Sequence, residues 1–600
     1  MSHRPTCIAA LRRMGLMTRL ANWCCLAWLC CVALLAGAAP AYAAEIHLYV
    51  SPTTTAHFAA KRKSYSSVIQ RWHPYLQRYG EHAQALTREE LLSGLANGVL
   101  ILPTAVALDN AERQAITRFV DAGGAVLGTG PVGMYDETGR NVGTGFLERT
   151  FRVRTHGYFA ADEDTFYMPF GGGPLTWPVP AARRMWVDNP RDSLLRISGA
   201  NEAAVAMDWS RAMQTEPHAV MAFEDTGKSR LAYIAVPDDA WAGGREPGLI
   251  LDATLAWLRR EPQAFKAAWP NGHVACHLIE MDTEDKFESA PNFAKDLENE
   301  GFKGTFYSLT TEAVRLPQVV QDLQARGHEI AYHADVHFGF KGEDPAQQEL
   351  RIKFMQEQMR SILGERAAEA TGFRAPTESY DATTESYDAT TERLLRKYGI
   401  RHHAADESAH EDRLPFFSTA EPGLPPDQAL VVLPRTQMDD VTFINLKLAP
   451  AQVTAILDFD LSLAVRSGSL SLLSVHSQNY VEGGLMLAVM GDYMRKVATY
   501  RDRLWVARGD EIARWWRLRD ATHVDQRWNG AGIEVTLDNT ASAPVDGLTV
   551  FVTLPFKGAA VRVAGTTHGI KTRVKPIDAY RAAVVVDRLP TGSSRLQIRF

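Results

Sequence analysis

The chain has 600 residues, 46% of them apolar and 22% charged, with a formal charge of −6. Such a length exceeds what one hydrophobic core supports, so about two to four domains are expected, and the composition excludes a collagen, a coiled coil and wholesale disorder. The acidity speaks against nucleic acid or an anionic membrane surface as a partner.

Arg4, Arg12, Arg13 and Arg19 form a basic stretch without any acid. An apolar run from Trp23 to Ala39 follows, and then Pro40-Ala41-Tyr42-Ala43-Ala44. Ala41 and Ala43 supply a small-x-small pattern, so residues 1–43 are expected to be a signal peptide cut after Ala43, with export to the periplasm or medium. The alternative, an uncleaved anchor, has an apolar run short for a span, and no stable membrane span is expected after cleavage. Loss of the four arginines takes the charge from −6 to −6 − 4 = −10. Cys7, Cys24, Cys25, Cys30 and Cys31 all lie in this leader. Only Cys276 is left, so no intrachain disulfide is expected, and its apolar strand setting makes it a core residue.

Residues 44–269 alternate strand and helix patterns. Residues 46–50 read as a strand and residues 99–103 as a buried strand of the parallel kind. Asp109 is the expected N-cap of a helix over Ala111 to Ala122, which Gly123-Gly124 ends; Ala125 to Thr129 returns as a strand. Gly128-Thr129-Gly130 lacks the lysine and spacing of a phosphate loop and reads as a turn. A second α/β region covers residues 270–520, and residues 521–600 carry alternating strands expected to form a small β-sandwich.

Four segments of the middle region end apolar runs on polar groups. Asp282, Glu284 and Asp285 crowd three carboxylates into four residues, which repel one another unless a cation or protons neutralise them. His333 and His337 stand four apart, a spacing that on a helical turn puts both imidazoles on one face as ligands of one divalent ion. Arg374 lies between Phe373 and Ala375-Pro376 as a positioned cation at a strand end, and His476 ends the run from Leu470. Open α/β sheets and barrels put their sites at the carboxyl ends of strands.

This ordered set (acidic cluster, His-xxx-His, Arg-x-Pro, strand-end His) resembles the polysaccharide deacetylase family over residues 270–520. The resemblance implies a distorted (β/α) barrel, a divalent metal such as Zn²⁺, and an acetylated polysaccharide as substrate. It implies Asp282 as general base, Arg374 as the residue orienting it, and His476 as general acid, with His333 and His337 as metal ligands. The carboxylate ligand is Glu284 or Asp285, with the shorter Asp285 favoured. The acid histidine's carboxylate brace would be Asp439 or Asp440. Residues 44–269 resemble glutamine-amidotransferase-like, flavodoxin-type domains, but the absence of any cysteine there excludes that chemistry. Two alternatives stay open: an inactive glycan-binding protein of the same fold, and an O-acetyl esterase.

Residues 378–384 repeat without change as 385–391, which places a duplication beside Pro376 and leaves Tyr380 or Tyr387 as the tyrosine nearest the site. His402, His403 and His410 read as a polar loop, and a long helix is expected between Gly483 and Trp516 with Trp505, Trp515 and Trp516 packed into the core.

Overall fold

In the computed structural model the described residues are 45–160, 165–186, 193–199, 201–207, 218–241, 245–377, 386–405 and 413–600. The expected signal peptide, Tyr380 and His410 lie outside them. Among the described residues no helix is long and apolar enough to cross a membrane.

The first sheet begins with five parallel strands in the spatial order Ala83–Leu86, Ile46–Tyr49, Val99–Leu102, Ala125–Thr129, Arg230–Ile234. Antiparallel strands extend it from His218–Asp225 onward. Apart from the edge strand Ala83–Leu86, its parallel strands are buried on both faces, as crossover helices require. Asp109 caps the helix Asn110–Asp121, accepting from the Glu112 N–H at 2.7 Å, while Glu112 returns the bond to the Asp109 N–H at 2.6 Å.

Seven strands of the middle sheet run Val431–Pro434, His402–Ala405, Gly372–Arg374, Glu329–Tyr332, Thr305–Ser308, Ala275–Thr283, Leu470–His476, all parallel, with Phe416–Phe417 added antiparallel beside the first and Leu504–Val506 parallel beside Ala275–Thr283. It curls into a half-barrel. Across the gap between its two end strands, the Gln437 N–H donates to the Leu472 carbonyl at 3.2 Å, and the Leu472 N–H donates to Thr436 Oγ1 at 2.8 Å. All seven strands therefore open their carboxyl ends toward one mouth.

Two four-stranded antiparallel sheets complete the chain. Val535, Leu537, Leu596 and Ile598 of one share a core with Val550, Val552, Val584 and Val586 of the other, and with Cys276, Trp515 and Trp516. Ala264–Lys266, at the end of the region 44–269, pairs antiparallel with Val545–Thr553 of this C-terminal pair of sheets, and Ala264 packs into their core. The long helix expected from 483 is two, Leu485–Ala498 and Gly509–Asp520, separated by the strand Leu504–Val506. His402 and His403 are also corrected: they sit on a buried strand, with His402 Nε2 2.8 Å from Glu329 Oε1 and His403 Nε2 3.4 Å from Glu392 Oε1.

The second copy of the repeat supplies framework contacts. Tyr387 is buried edge-on against His403, with centroids 5.3 Å apart. The Ser386 carbonyl accepts from the Phe340 N–H at 2.7 Å, and Asp388 caps the helix Ala389–Lys397 through the Thr390 N–H at 2.9 Å. Deleting residues 378–384 should therefore leave the thermal midpoint unchanged. In that shortened chain Tyr387→Ala should cost about 3–5 kcal/mol, as other large aromatic truncations do. Denaturant unfolding of both variants checks this, and a midpoint already lowered by the deletion alone would contradict it.

Candidate active site

The strand Ala275–Thr283 is buried along its whole length, and its register sets Asp282 opposite Tyr307 on one side and His476 on the other. Asp282 is held from below by Arg374, whose Nε lies 2.9 Å from Asp282 Oδ2. The guanidinium is wholly buried, faces the Tyr307 ring at 6.0 Å, and also donates from Nη1 to Glu280. A cation buried so deeply is tolerable only when paired. Burial raises the Glu280 carboxyl to about 8, against the pull of Arg374. Asp282 Oδ1 is buried and makes no hydrogen bond with the described residues.

His476 Nε2 stands 3.6 Å from Asp282 Oδ2. Its Nδ1 lies 2.6 Å from Asp440 Oδ1, and Asp440 Oδ2 accepts from the His476 N–H at 2.8 Å and from Asn479 Nδ2 at 3.0 Å. Burial would lower the imidazole's pKa. The hydrogen bond and charge of Asp440, reinforced by Asp282 and Glu284, overcome it and raise the pKa to about 9. Of the two braces considered, Asp440 holds this place. Asp439 instead caps the helix Asp440–Asn445 and pairs with Arg435 at 2.7 Å.

Beside this pair, Glu284 Oε1 lies 3.0 Å from His333 Nε2 and 2.9 Å from His337 Nε2. One donor atom from each residue falls within 4.8 Å of the others. His333 Nδ1 is 3.0 Å from the Arg374 carbonyl, which can only accept. The proton of a neutral ring therefore sits on Nδ1, and the Nε2 lone pair faces a carboxylate oxygen. Two lone pairs do not attract each other, so either a proton on the imidazole or a metal cation must lie between them. Separations near 3 Å suit atoms that share one ion about 2 Å away. The donor set thus fits a divalent metal, with Glu284, His333 and His337 as the residues to hold it. Burial acts to raise the Glu284 pKa, but the two imidazoles draw it well below the usual carboxylate range.

Two expectations are corrected here. Asp285 is exposed and outside the cluster. Ser477 clamps the segment, accepting from the Glu284 N–H at 3.0 Å and donating to the Asp285 carbonyl at 2.7 Å. Glu284 consequently turns inward, and Gln478 steadies it at 2.8 Å. The histidine pair, for its part, is on a loop and not a helical turn. Ala334 adopts a left-handed φ of 76°, a strained geometry for alanine. It is held because the Thr310 N–H donates to its carbonyl at 3.1 Å, while Arg351 grips Asp335 at 2.7 Å and the Gly339 carbonyl at 2.7 Å. The imidazoles still converge, with centroids 5.5 Å apart.

The family model described as polysaccharide deacetylase matches residues 281–401. The chain thus carries a polysaccharide deacetylase domain, the domain of a deacetylase enzyme. Among solved structures, proteins assigned as polysaccharide deacetylases from Mycobacterium smegmatis and Pseudomonas aeruginosa PAO1 are 20% and 18% identical, each covering 42% of this chain and 94% of its own, at a TM-score of 0.35. A family 4 carbohydrate esterase from Streptomyces lividans, in complex with acetate, is 14% identical over 40% of this chain and 93% of its own, at 0.26. The search of curated proteins gave no match. The deacetylase match contains Asp282, Glu284, His333, His337 and Arg374, whereas Asp440 and His476 lie beyond it. Glu280, inside the barrel below Asp282, was not singled out in the sequence, because its partner Arg374 is 94 residues away.

Glu284→Ala should weaken Zn²⁺ binding by at least about 100-fold, since even loss of an outer partner costs about 10–100-fold. Asp285→Ala should leave it unchanged. Calorimetric titration of the apoprotein measures both, and equal losses would contradict the assignment.

Proposed function

We propose that this protein is an exported, metal-dependent hydrolase that removes N-acetyl groups from an extracellular or periplasmic polysaccharide. The observation that carries the reading is one carboxylate, Asp282, and one imidazole, His476, standing 3.6 Å apart beside the Glu284–His333–His337 cluster. Glu284, His333 and His337 would hold a divalent ion, Zn²⁺ by the ligand set, which when bound would supply polarisation of an acetyl carbonyl and a more acidic water. Asp282 Oδ1 takes a proton from the attacking water. Arg374 holds the resulting carboxylic acid in place through Oδ2. His476 Nε2 gives its proton to the departing amine nitrogen as the carbon–nitrogen bond breaks, and Asp440 stabilises the imidazolium before that transfer. The products are acetate and a free amine on the glycan.

The protonated state of His476 favours the N-acetyl over the O-acetyl substrate, since an amine is the leaving group that most needs a proton. The remaining parts are assigned by the same reading. Residues 44–269 form a flavodoxin-like domain, supported by its 2-1-3-4-5 parallel strand order, with a structural or glycan-binding role. Residues 270–520 form the deacetylase barrel and 521–600 a β-sandwich module. Residues 1–43 are the signal, and nucleic acid has no place in the scheme.

Acetate release from a panel of N-acetylated glycans by the Zn²⁺-loaded protein tests the proposal. Asp282→Asn and His476→Ala should each reduce the rate by on the order of 10²–10⁴ without loss of metal. Glycan binding without acetate release would instead mark an inactive binding protein, and an alcohol product an O-acetyl esterase. A pH profile gives a second check. The His476 pKa is raised, so the acid form persists through neutrality and is lost as pH rises through about 9. The rate should fall along that limb, and Asp440→Asn should move the limb to lower pH. An alkaline limb unmoved by Asp440→Asn would contradict the assigned acid.

A further inference from the structure

A cavity of about 330 Å³ opens at the amino-terminal end of the barrel, away from the mouth. Val274 and Gly468, which lead into the strands Ala275–Thr283 and Leu470–His476, line it. Asp282 stands at the other end of the first of these strands, roughly 25 Å away at about 3.3 Å per residue. The walls are aromatic. Trp177 stacks on Phe265 with centroids 4.9 Å apart, and Phe551 meets Phe265 edge-on at 5.9 Å. Apolar walls with a few placed polar groups, around a space of this size, are the usual make-up of a small-molecule site.

The polar groups here have one sign. Lys266 and Arg519 line the cavity, and no acid among the described residues does. The chain as a whole holds 70 acids against 64 lysines and arginines, so the imbalance is local. Lys266 has a structural account. Its Nζ donates to the Arg519 carbonyl at 2.7 Å and to the Thr522 carbonyl, at the carboxyl end of the helix Gly509–Asp520, where a cation is favoured. Burial, with the Arg519 charge beside it, lowers its pKa to about 8.

Arg519 has no such account. Its Nε donates to the Ala267 carbonyl at 2.9 Å, and its guanidinium lies over the Trp516 ring at 4.8 Å. Nη1 and Nη2 make no hydrogen bond or ion pair among the described residues. Burial lowers the Arg519 pKa, and only the charge of exposed Asp520 opposes it. A cation partly withdrawn from water is costly unless an anion meets it. The Nε bond and the stacking on Trp516 fix the guanidinium plane. What they leave is the edge formed by Nη1 and Nη2, which can take both oxygens of one carboxylate.

We propose that this cavity binds a small carboxylate with an apolar ring, its oxygens on Nη1 and Nη2 of Arg519 and its ring against the aromatic walls. A sugar's hydroxyls would find few partners there, because apolar side chains make up most of the lining. The site is separate from the Glu284–His333–His337 cluster, and the inference does not depend on the deacetylase reading.

Calorimetric titration of the Zn²⁺-loaded protein with benzoate tests this. One benzoate should bind per chain, and benzamide, of the same shape but uncharged, at least about tenfold more weakly. Glucuronate, equally charged but hydroxylated, should also bind more weakly than benzoate. Arg519→Gln should lower benzoate affinity at least about tenfold, with Zn²⁺ affinity unchanged. Glu284→Ala should keep the wild-type benzoate affinity. The inference is overturned if benzoate does not bind, if benzamide binds equally well, if glucuronate binds more tightly, or if Arg519→Gln binds benzoate as the wild type does. Loss of benzoate binding in Glu284→Ala also overturns it, since that would put the ligand on the metal. If Arg519→Gln does not fold, a crystal structure of the wild type with benzoate decides: a carboxylate on the Nη1–Nη2 edge supports the site, and one anywhere else overturns it.

Discussion

A carboxylate oxygen of Glu284 and a ring nitrogen each of His333 and His337 meet at the mouth of the half-barrel, all within 4.8 Å of one another. Left to themselves, such groups separate into water or pick up protons. Their convergence is imposed by the sheet: parallel strands end at one mouth, and the strands or the loops that leave them carry the polar residues of the site. Everything placed around the cluster either fixes a lone pair or balances a charge. The Arg374 carbonyl selects the His333 tautomer, Gln478 orients Glu284, and Arg351 holds the strained loop that returns His337 to the cluster.

Arg374 links the two halves of the site. Its backbone carbonyl reaches His333, while its side chain reaches Asp282, the proposed base. The short strand Gly372–Arg374 thus sets the spacing between the cluster and Asp282 with one residue. On the far side, His476 is reached through strand pairing, since it lies directly across the ladder from Asp282. Asp282 and His476, the proposed proton carriers, are neighbours in the sheet although 194 residues separate them in the chain, a register that no local feature of either segment contains.

Much of this was legible in the sequence. Asp282, His333, Arg374 and His476 each stand where an apolar run stops, and polar groups of those types at strand ends are informative because a sheet interior excludes them, while His337 was read from its spacing to His333. What was illegible depended on distant contacts. Glu284 and Asp285 differ in direction only because Ser477 clamps their backbone. Asp439 and Asp440 are adjacent acids, and the helix cap takes the first while His476 takes the second. His402 and His403 look like a solvated pair until Glu329 and Glu392 are found beside them in the core. The strand Ala264–Lys266 looks like the end of the first domain until its partner strand, nearly three hundred residues on, is known.

The central claim is that one cation is held by Glu284, His333 and His337. Anomalous diffraction at the zinc edge from crystals of the Zn²⁺-loaded protein measures this directly. The account predicts a single strong peak within bonding distance of Glu284 Oε1, His333 Nε2 and His337 Nε2, next to Asp282. A peak elsewhere, for example between His402 and Glu329, or ligation by Asp285 in place of Glu284, would contradict it.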